Sequence, residues 1–458
     1  MSLSENIDID REILLLLDEE DFRKFFELNK YFSSKVFQSF FLKRRLQVLY
    51  DYSNYNETYT IKRYKQQYEL LKNCPDDLIL EATKISDLNL ISHALKKGAD
   101  INTYKFYHPP LTYAVRNGDF DIVKYLIEHG AKVNGHPGQY VCINFVTNAA
   151  ENGHLDILKY LMEEMNAKCN NYALIKACEK GHLSIVQYLV ENQKLDIHVG
   201  VEDPLRRAAE LGHLEIVTYL VSRGANVNAN RENHSSALVY ACKNNHFSVM
   251  KYLLEQGADI NSNNDLSLLW SIDYNNNIDA VKYLVEHGSN VNGNRILKKA
   301  CEKGNFEIVK YLIEQGAIID SQCLEYAGYS GNLDIVKYLV EKGQNPNNYD
   351  AFRYSCYSGH VHVLKYFVEH GIDINHDYSA FKICIRNKHI EAVKYLINVG
   401  ISNIFKNRGV GTAAKRGYLT IVKMLVENGA DVHYLNDKAI TLASLRHYND
   451  IVSYLNEQ

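Results

Sequence analysis

Proline is scarce in this chain, with six in 458 residues. Obligatory helix breaks are therefore few, and a proline-rich spacer is excluded. Tryptophan occurs once, as Trp270, and methionine five times. Long apolar runs are missing too. The longest early one, Ile13 to Leu17, is five residues, too short for a secretory signal or a membrane span. The expected location is the cytoplasm. No charge sign dominates: 51 Lys and Arg against 55 Asp and Glu give a net −4, which argues against a chain-wide nucleic-acid binder. The nine cysteines lack paired metal spacing. Cys178, Cys242, Cys301 and Cys356 share one repeat position and are expected to be buried free thiols. There is no glycine loop ending in Lys-Ser or Lys-Thr and no His-Glu-x-x-His, and Gly409-Val410-Gly411 is too short a signal to carry chemistry. The chain is expected to be no enzyme, with no cofactor and no metal.

What is present is periodicity. In Gly212 to Asn228, Ile216, Val217, Leu220 and Val221 form one apolar stripe of a short helix, bracketed by Gly212 and Gly224. Pro204 to Leu211 fits an earlier helix with proline in its first turn. The Leu220 position returns at Leu126, Leu161, Leu189, Leu253, Leu284, Leu312, Leu339, Phe367, Leu396, Leu425 and Leu455, with Ala94 opening the series. Thirteen copies about 30 residues apart are the signature of a stacked repeat. A small residue recurs one helix earlier (Ala114, Ala149, Ala177, Ala208, Ala241, Ala300, Ala327), followed by a turn glycine, and Asn102, Asn228, Asn261 and their counterparts end each unit.

From Asp77 onward the unit resembles the ankyrin repeat. The best matches to its motif are Pro110-Leu111 with Ala114, Pro204-Leu205 with Ala208-Ala209, and Gly181-His182-Leu183-Ser184-Ile185-Val186. The resemblance implies an all-α ankyrin solenoid of about thirteen helix-turn-helix units over residues 76–458, behind a small helical domain at 1–75. The family's Thr-Pro-Leu-His tetrad is nowhere complete, so the hydrogen bonds it makes must be replaced. Leu284, Leu312, Leu339, Phe367, Leu396 and Leu425 lie 27 to 29 residues apart, short of the family's roughly 33, which predicts truncated finger loops. Gly135-His136-Pro137-Gly138 should be a longer loop, and the units at Met165 and Gln193 should have irregular turns.

Residues 1–75 resemble an F-box. Glu12-Ile13-Leu14 through Leu17, Asp21-Phe22 and Leu28-Asn29-Lys30-Tyr31-Phe32 carry the likeness, whereas Ile9-Asp10 replaces Leu-Pro and the tryptophan is missing. The resemblance implies docking on a cullin ubiquitin ligase adaptor through Glu12, Ile13, Leu16, Leu17, Asp21 and Phe22. The alternative is a hydrophobic cap on the first repeat. Composition and the pairing of the two segments resemble ankyrin proteins of large DNA viruses that infect amoebae.

Six histidines follow the turn, one per unit (His154, His182, His213, His246, His360, His389). Their distribution over separate repeats assigns them to the turns rather than to a metal. A tyrosine precedes the marker position in eleven units, from Tyr125 to Tyr454, and is expected to stack between neighbouring repeats on the convex back. The resemblance places ligands on the concave face, at the two residues ahead of the turn glycine. There the chain offers Tyr274, Tyr329, Tyr357, Arg386, Lys415 and Arg416, residue types enriched at binding hot spots and suited to an acidic or extended protein segment. Glu151, Glu179, Glu210 and Glu302 at equivalent sites argue against nucleic acid. The reading is a monomeric protein-recognition module.

Overall fold

A computed structural model describes residues 74–103, 108–134, 145–229, 236–293 and 295–458. The stretch that resembles an F-box, with the six residues expected to dock, and the Gly135–Gly138 loop lie outside these residues. Among the described residues the structure is all-helical, with no strand. It divides into two compact units, residues 1–196 and 197–458.

The described part of the first unit holds four helix pairs, from Pro75–Lys84 with Leu88–Lys96 to Asn171–Lys180 with Leu183–Glu191. The second unit holds nine, from Val199–Glu210 with Leu214–Ser222 to Tyr434–Ser444 with Asn449–Asn456. Among the described residues helix pairs thus number thirteen, as the period predicts. The period reflects burial: Ala94, Leu220, Leu455 and every other marker residue are at most 1% exposed. The alanines of the first helices, Ala114 to Ala443, are fully buried, so neighbouring backbones can approach closely.

Connections between pairs are short where the spacing predicts it. Residues 315–320 join Glu314 to Ser321, and residues 399–402 join Asn398 to Asn403. Three connections end in a left-handed turn, Gly200-Val201-Glu202, Asn263-Asn264-Asp265 and Leu435-Asn436-Asp437, with φ from 56° to 65°. The first of these leaves Pro204 in the opening turn of the right-handed helix, where its missing N–H costs nothing.

The unit at Met165 is irregular for a visible reason. Its second helix widens to a π turn over Tyr160–Glu164, and Asn166 takes the left-handed slot at φ 51°. At the unit of Gln193, Lys194 does the same at φ 55°.

The tyrosine ladder differs from expectation. Its rings do not stack on one another across repeats. Tyr125, Tyr283 and Tyr366 meet His129, His287 and His370 one turn along the same helix, at 3.9, 4.0 and 3.9 Å between centroids. Across repeats, seven of the eleven rings meet a lysine or phenylalanine of the preceding unit. Lys251, Lys365 and Lys423 sit over Tyr283, Tyr395 and Tyr454, and Phe306 meets Tyr338 edge-on. Lysine one residue before tyrosine is the commonest form of this position, so repeating the dipeptide puts a cation over a ring.

Candidate protein-recognition face

The turn between the two helices of a unit takes positive φ in all thirteen pairs. Eight use glycine, and Ser86, Asn245, Asn276, Lys388 and His447 take the rest. Glycine does a second job here. A Cβ on Gly118, Gly153, Gly212, Gly331 or Gly359 would fall within 3.0 Å of the imidazole of the following repeat's histidine. Those rings lie across the turn and bond backwards. His154 Nε2 meets the Arg116 carbonyl at 3.1 Å, His182 that of Glu151 at 3.1 Å, and His246 that of Glu210 at 3.0 Å. His360 meets Tyr329 O at 3.2 Å and His389 meets Tyr357 O at 2.7 Å. The histidine role assigned to the turns is therefore inter-repeat bridging. None of these rings caps its own helix.

Finger asparagines complete the replacement for the missing tetrad. Asn261 Nδ2 donates to the Gly288 carbonyl at 3.2 Å while its Oδ1 accepts from Asn290 N at 3.1 Å. Asn102, Asn228, Asn292 and Asn375 repeat the double bridge. Each of these asparagines thus ties its own unit to the next repeat.

The carbonyl that each histidine holds belongs to the residue two ahead of the turn. Its backbone is fixed by the next repeat and its side chain projects outward. Tyr329 and Tyr357 occupy this position, 38% and 52% exposed, with rings 6.1 Å apart and 29° from parallel. Arg386, Lys415 and Arg416 are exposed and line one groove. Tyr274, 57% exposed, stands apart from both groups. It meets Trp270 at 5.8 Å, and Lys243 Nζ lies 5.0 Å from its ring centre. The six expected residues thus form a tyrosine pair, a basic trio and a separate aromatic–cation cluster.

A family profile of three tandem ankyrin repeats matches residues 146–231, 205–295, 269–350 and 324–408, and single-repeat profiles match 106–135 and 412–437. Together the tandem matches cover more than half of the chain. The chain belongs to the ankyrin repeat family. No curated protein matches it.

Within the second ankyrin unit the face is richer than the pre-turn pairs alone. Tyr326 and Tyr354 stack at 6.3 Å, one helical turn before Tyr329 and Tyr357. Lys382, Arg408 and Lys438 join the basic trio around the groove. The signal that reveals them is helical: residues three, four and seven apart share a face, so each pre-turn residue has partners one or two turns earlier. Trp270 is half-buried and belongs to this face, against Tyr240 and Tyr274. Among the described residues no cluster of His, Cys, Asp or Glu is arranged to hold a metal. The cysteines bear out the reading of their shared position: Cys178, Cys242, Cys301 and Cys356 are buried and free, and burial pushes the Cys242 thiol up to about 12.

Proposed function

We propose that this ankyrin protein is a non-catalytic adaptor. Its exposed first-helix face holds a target protein, and residues 1–75 dock on a cullin ubiquitin ligase adaptor. The observation carrying the first half is the Tyr329–Tyr357 pair: two exposed rings stacked at 6.1 Å on backbones clamped by His360 and His389. Large rings held rigid lose little entropy on binding, which is what an interface anchor needs. The second half rests on sequence, on Glu12, Ile13, Leu16, Leu17, Asp21 and Phe22 in the F-box-like pattern. On this reading the protein works as a monomer, and the resemblance to proteins of amoeba-infecting viruses implies a host cytoplasm as the place of action.

A pull-down from amoebal lysate tests both halves with the full chain. Ile13→Asp/Leu17→Asp is expected to lose the cullin adaptor and keep the target. Tyr329→Ala/Tyr357→Ala is expected to lose the target and keep the adaptor. Recovery of no ligase component by well-folded parent protein would reduce residues 1–75 to a cap on a plain scaffold. Unchanged target capture by the tyrosine variant would remove the recognition face from its assigned place.

A further inference from the structure

We propose that the last three repeats bind an acidic protein segment in extended form, in the groove between the helices Tyr378–Arg386, Asn403–Ala414 and Tyr434–Ser444. This deepens the recognition reading above and rests on it. The groove has a volume of about 550 Å³ and is lined by Lys382, Arg386, Arg408, Lys415, Arg416 and Lys438. All six are exposed. No ion pair among the described residues uses any of them. Asp431 is the one carboxylate on the described lining, and its Oδ1 already accepts from His433 N at 2.9 Å. A chain of net charge −4 therefore concentrates six cations against one carboxylate on the first helices of three successive repeats and the turn that follows the middle one.

The groove is built rather than incidental. Arg408 rests over the Tyr378 ring, 4.5 Å from its centre, and the Tyr378 hydroxyl is hydrogen-bonded to Thr412 Oγ1 at 2.8 Å. Tyr378 is 8% exposed, so this arginine stands on a buried floor. Three arginine forks suit carboxylates, which they can grip through two N–H groups at once.

The distribution of charge selects the occupant. A single phosphate carries at most two charges and would leave most of the six unmatched. A nucleic-acid backbone needs the positive surface to continue along the face, but the preceding repeats turn aromatic, carry Glu325, and pair their Arg353 with Asp350 at 2.6 Å. An acidic peptide needs only the groove. Helices pack about 8–10 Å apart, so three of them span roughly 20 Å, the reach of about six extended residues at ~3.3 Å each. Residues continuing past Arg386 reach Tyr357, whose carbonyl is held by Asn387 and His389, and then Tyr329. The fitting ligand is an acidic run followed by apolar side chains.

Fluorescence anisotropy with the full chain tests this, using a fluorescein-labelled peptide of six glutamates in a Gly-Ser frame. The glutamate peptide should bind, and the matching glutamine peptide should not. Arg386→Glu/Arg416→Glu should weaken binding at least about tenfold. Lys310→Glu/Lys337→Glu, the same charge change on exposed second-helix sites, should leave it within about twofold. Equal affinity for the two peptides, or equal loss in both variants, overturns the proposal. So does equally tight binding of a thymidine hexanucleotide, which would make the groove a general anion surface. Circular dichroism of each variant excludes misfolding as the cause. Should the peptide fail while Tyr329→Ala/Tyr357→Ala still loses a captured target, the acidic ligand falls and the recognition face stands. Should neither set of changes matter, both fall.

Discussion

At the scale of single residues, the histidine after each turn shows how one side chain serves frame and surface together. His360 bonds the Tyr329 carbonyl, lies over Gly331, and has His362 5.9 Å away between ring centres. Burial first, and the nearby His362 second, hold its pKa below the ordinary 6.5; the hydrogen bond to the Tyr329 carbonyl pulls it up by less, and His389 adds a still smaller downward push. The folded state therefore binds fewer protons at this ring than the unfolded chain does. Stability from this group is complete above pH 6.5 and falls as pH drops below that value toward the folded pKa. Urea midpoints measured from pH 7.5 to pH 5 should decline, and His360→Gln should flatten part of that decline while lowering the value at pH 7.5. An unchanged pH slope in the variant would show that protonation of this ring is not linked to folding. His433 works in the opposite sense. It is fully exposed, and the hydrogen bond to Asp437 raises its pKa, so His433→Asn should steepen the decline rather than flatten it.

At the scale of elements, the helix pairs were legible and the way they touch was not. Spacing of leucine and alanine gives thirteen pairs because burial of those positions is nearly complete in every copy. The π turn at Tyr160–Glu164 and the left-handed turns near Glu202, Asp265 and Asp437 have no such periodic signal. The residues of the left-handed turns, Val201-Glu202, Asn263-Asn264-Asp265 and Leu435-Asn436-Asp437, share no common sequence from which such a turn could be read. Close approach of helices is also hidden, because glycine in a helix reads as a weak point. Gly328 is an example. A Cβ there would lie 2.5 Å from the Ala351 carbonyl oxygen and 2.8 Å from Ser355 Oγ. On helix propensity alone, Gly328→Ala should stabilise by about 1 kcal/mol. The clash is with backbone, which cannot rotate aside, so overpacking should dominate and the change should cost about 1–3 kcal/mol net. Chemical denaturation of the full chain decides the sign. A stabilised variant would mean that the helices Ser321–Ser330 and Tyr349–Ser358 separate at little cost. The same reasoning explains Gly409, where a Cβ would meet Ile385 Cδ1 at 2.9 Å and Leu425 Cδ1 at 3.1 Å. The glycine that carried no chemistry in the sequence is there for packing.

At the scale of the whole molecule, the candidate site is more legible than its ligand. Tyr329, Tyr357, Arg386, Lys415 and Arg416 could be picked out because the frame repeats and they do not, whereas Trp270, Arg408 and Lys438 needed the helix face to be known. What the repeating frame does fix is how disturbances spread. Within the second unit the main packing contacts run between successive pairs: Leu214–Ser222 packs on Val199–Glu210 and on Phe247–Glu255. Bridges from histidine and asparagine follow the same rule, each reaching one repeat and no further. Stability should then be a sum of local and nearest-neighbour terms. Leu220 is fully buried, and Leu220→Ala should cost about 2–5 kcal/mol. Native-state hydrogen exchange should show lost protection over Val199–Glu210, Leu214–Ser222 and Phe247–Glu255, with Val361–Glu369 and Leu419–Glu427 nearly unchanged. Equal loss at the distant helices would mean that the unit opens as one body. In that case the Tyr329–Tyr357 pair and the basic groove could not be altered separately. The local result is the one on which the separate behaviour of the tyrosine and arginine variants depends.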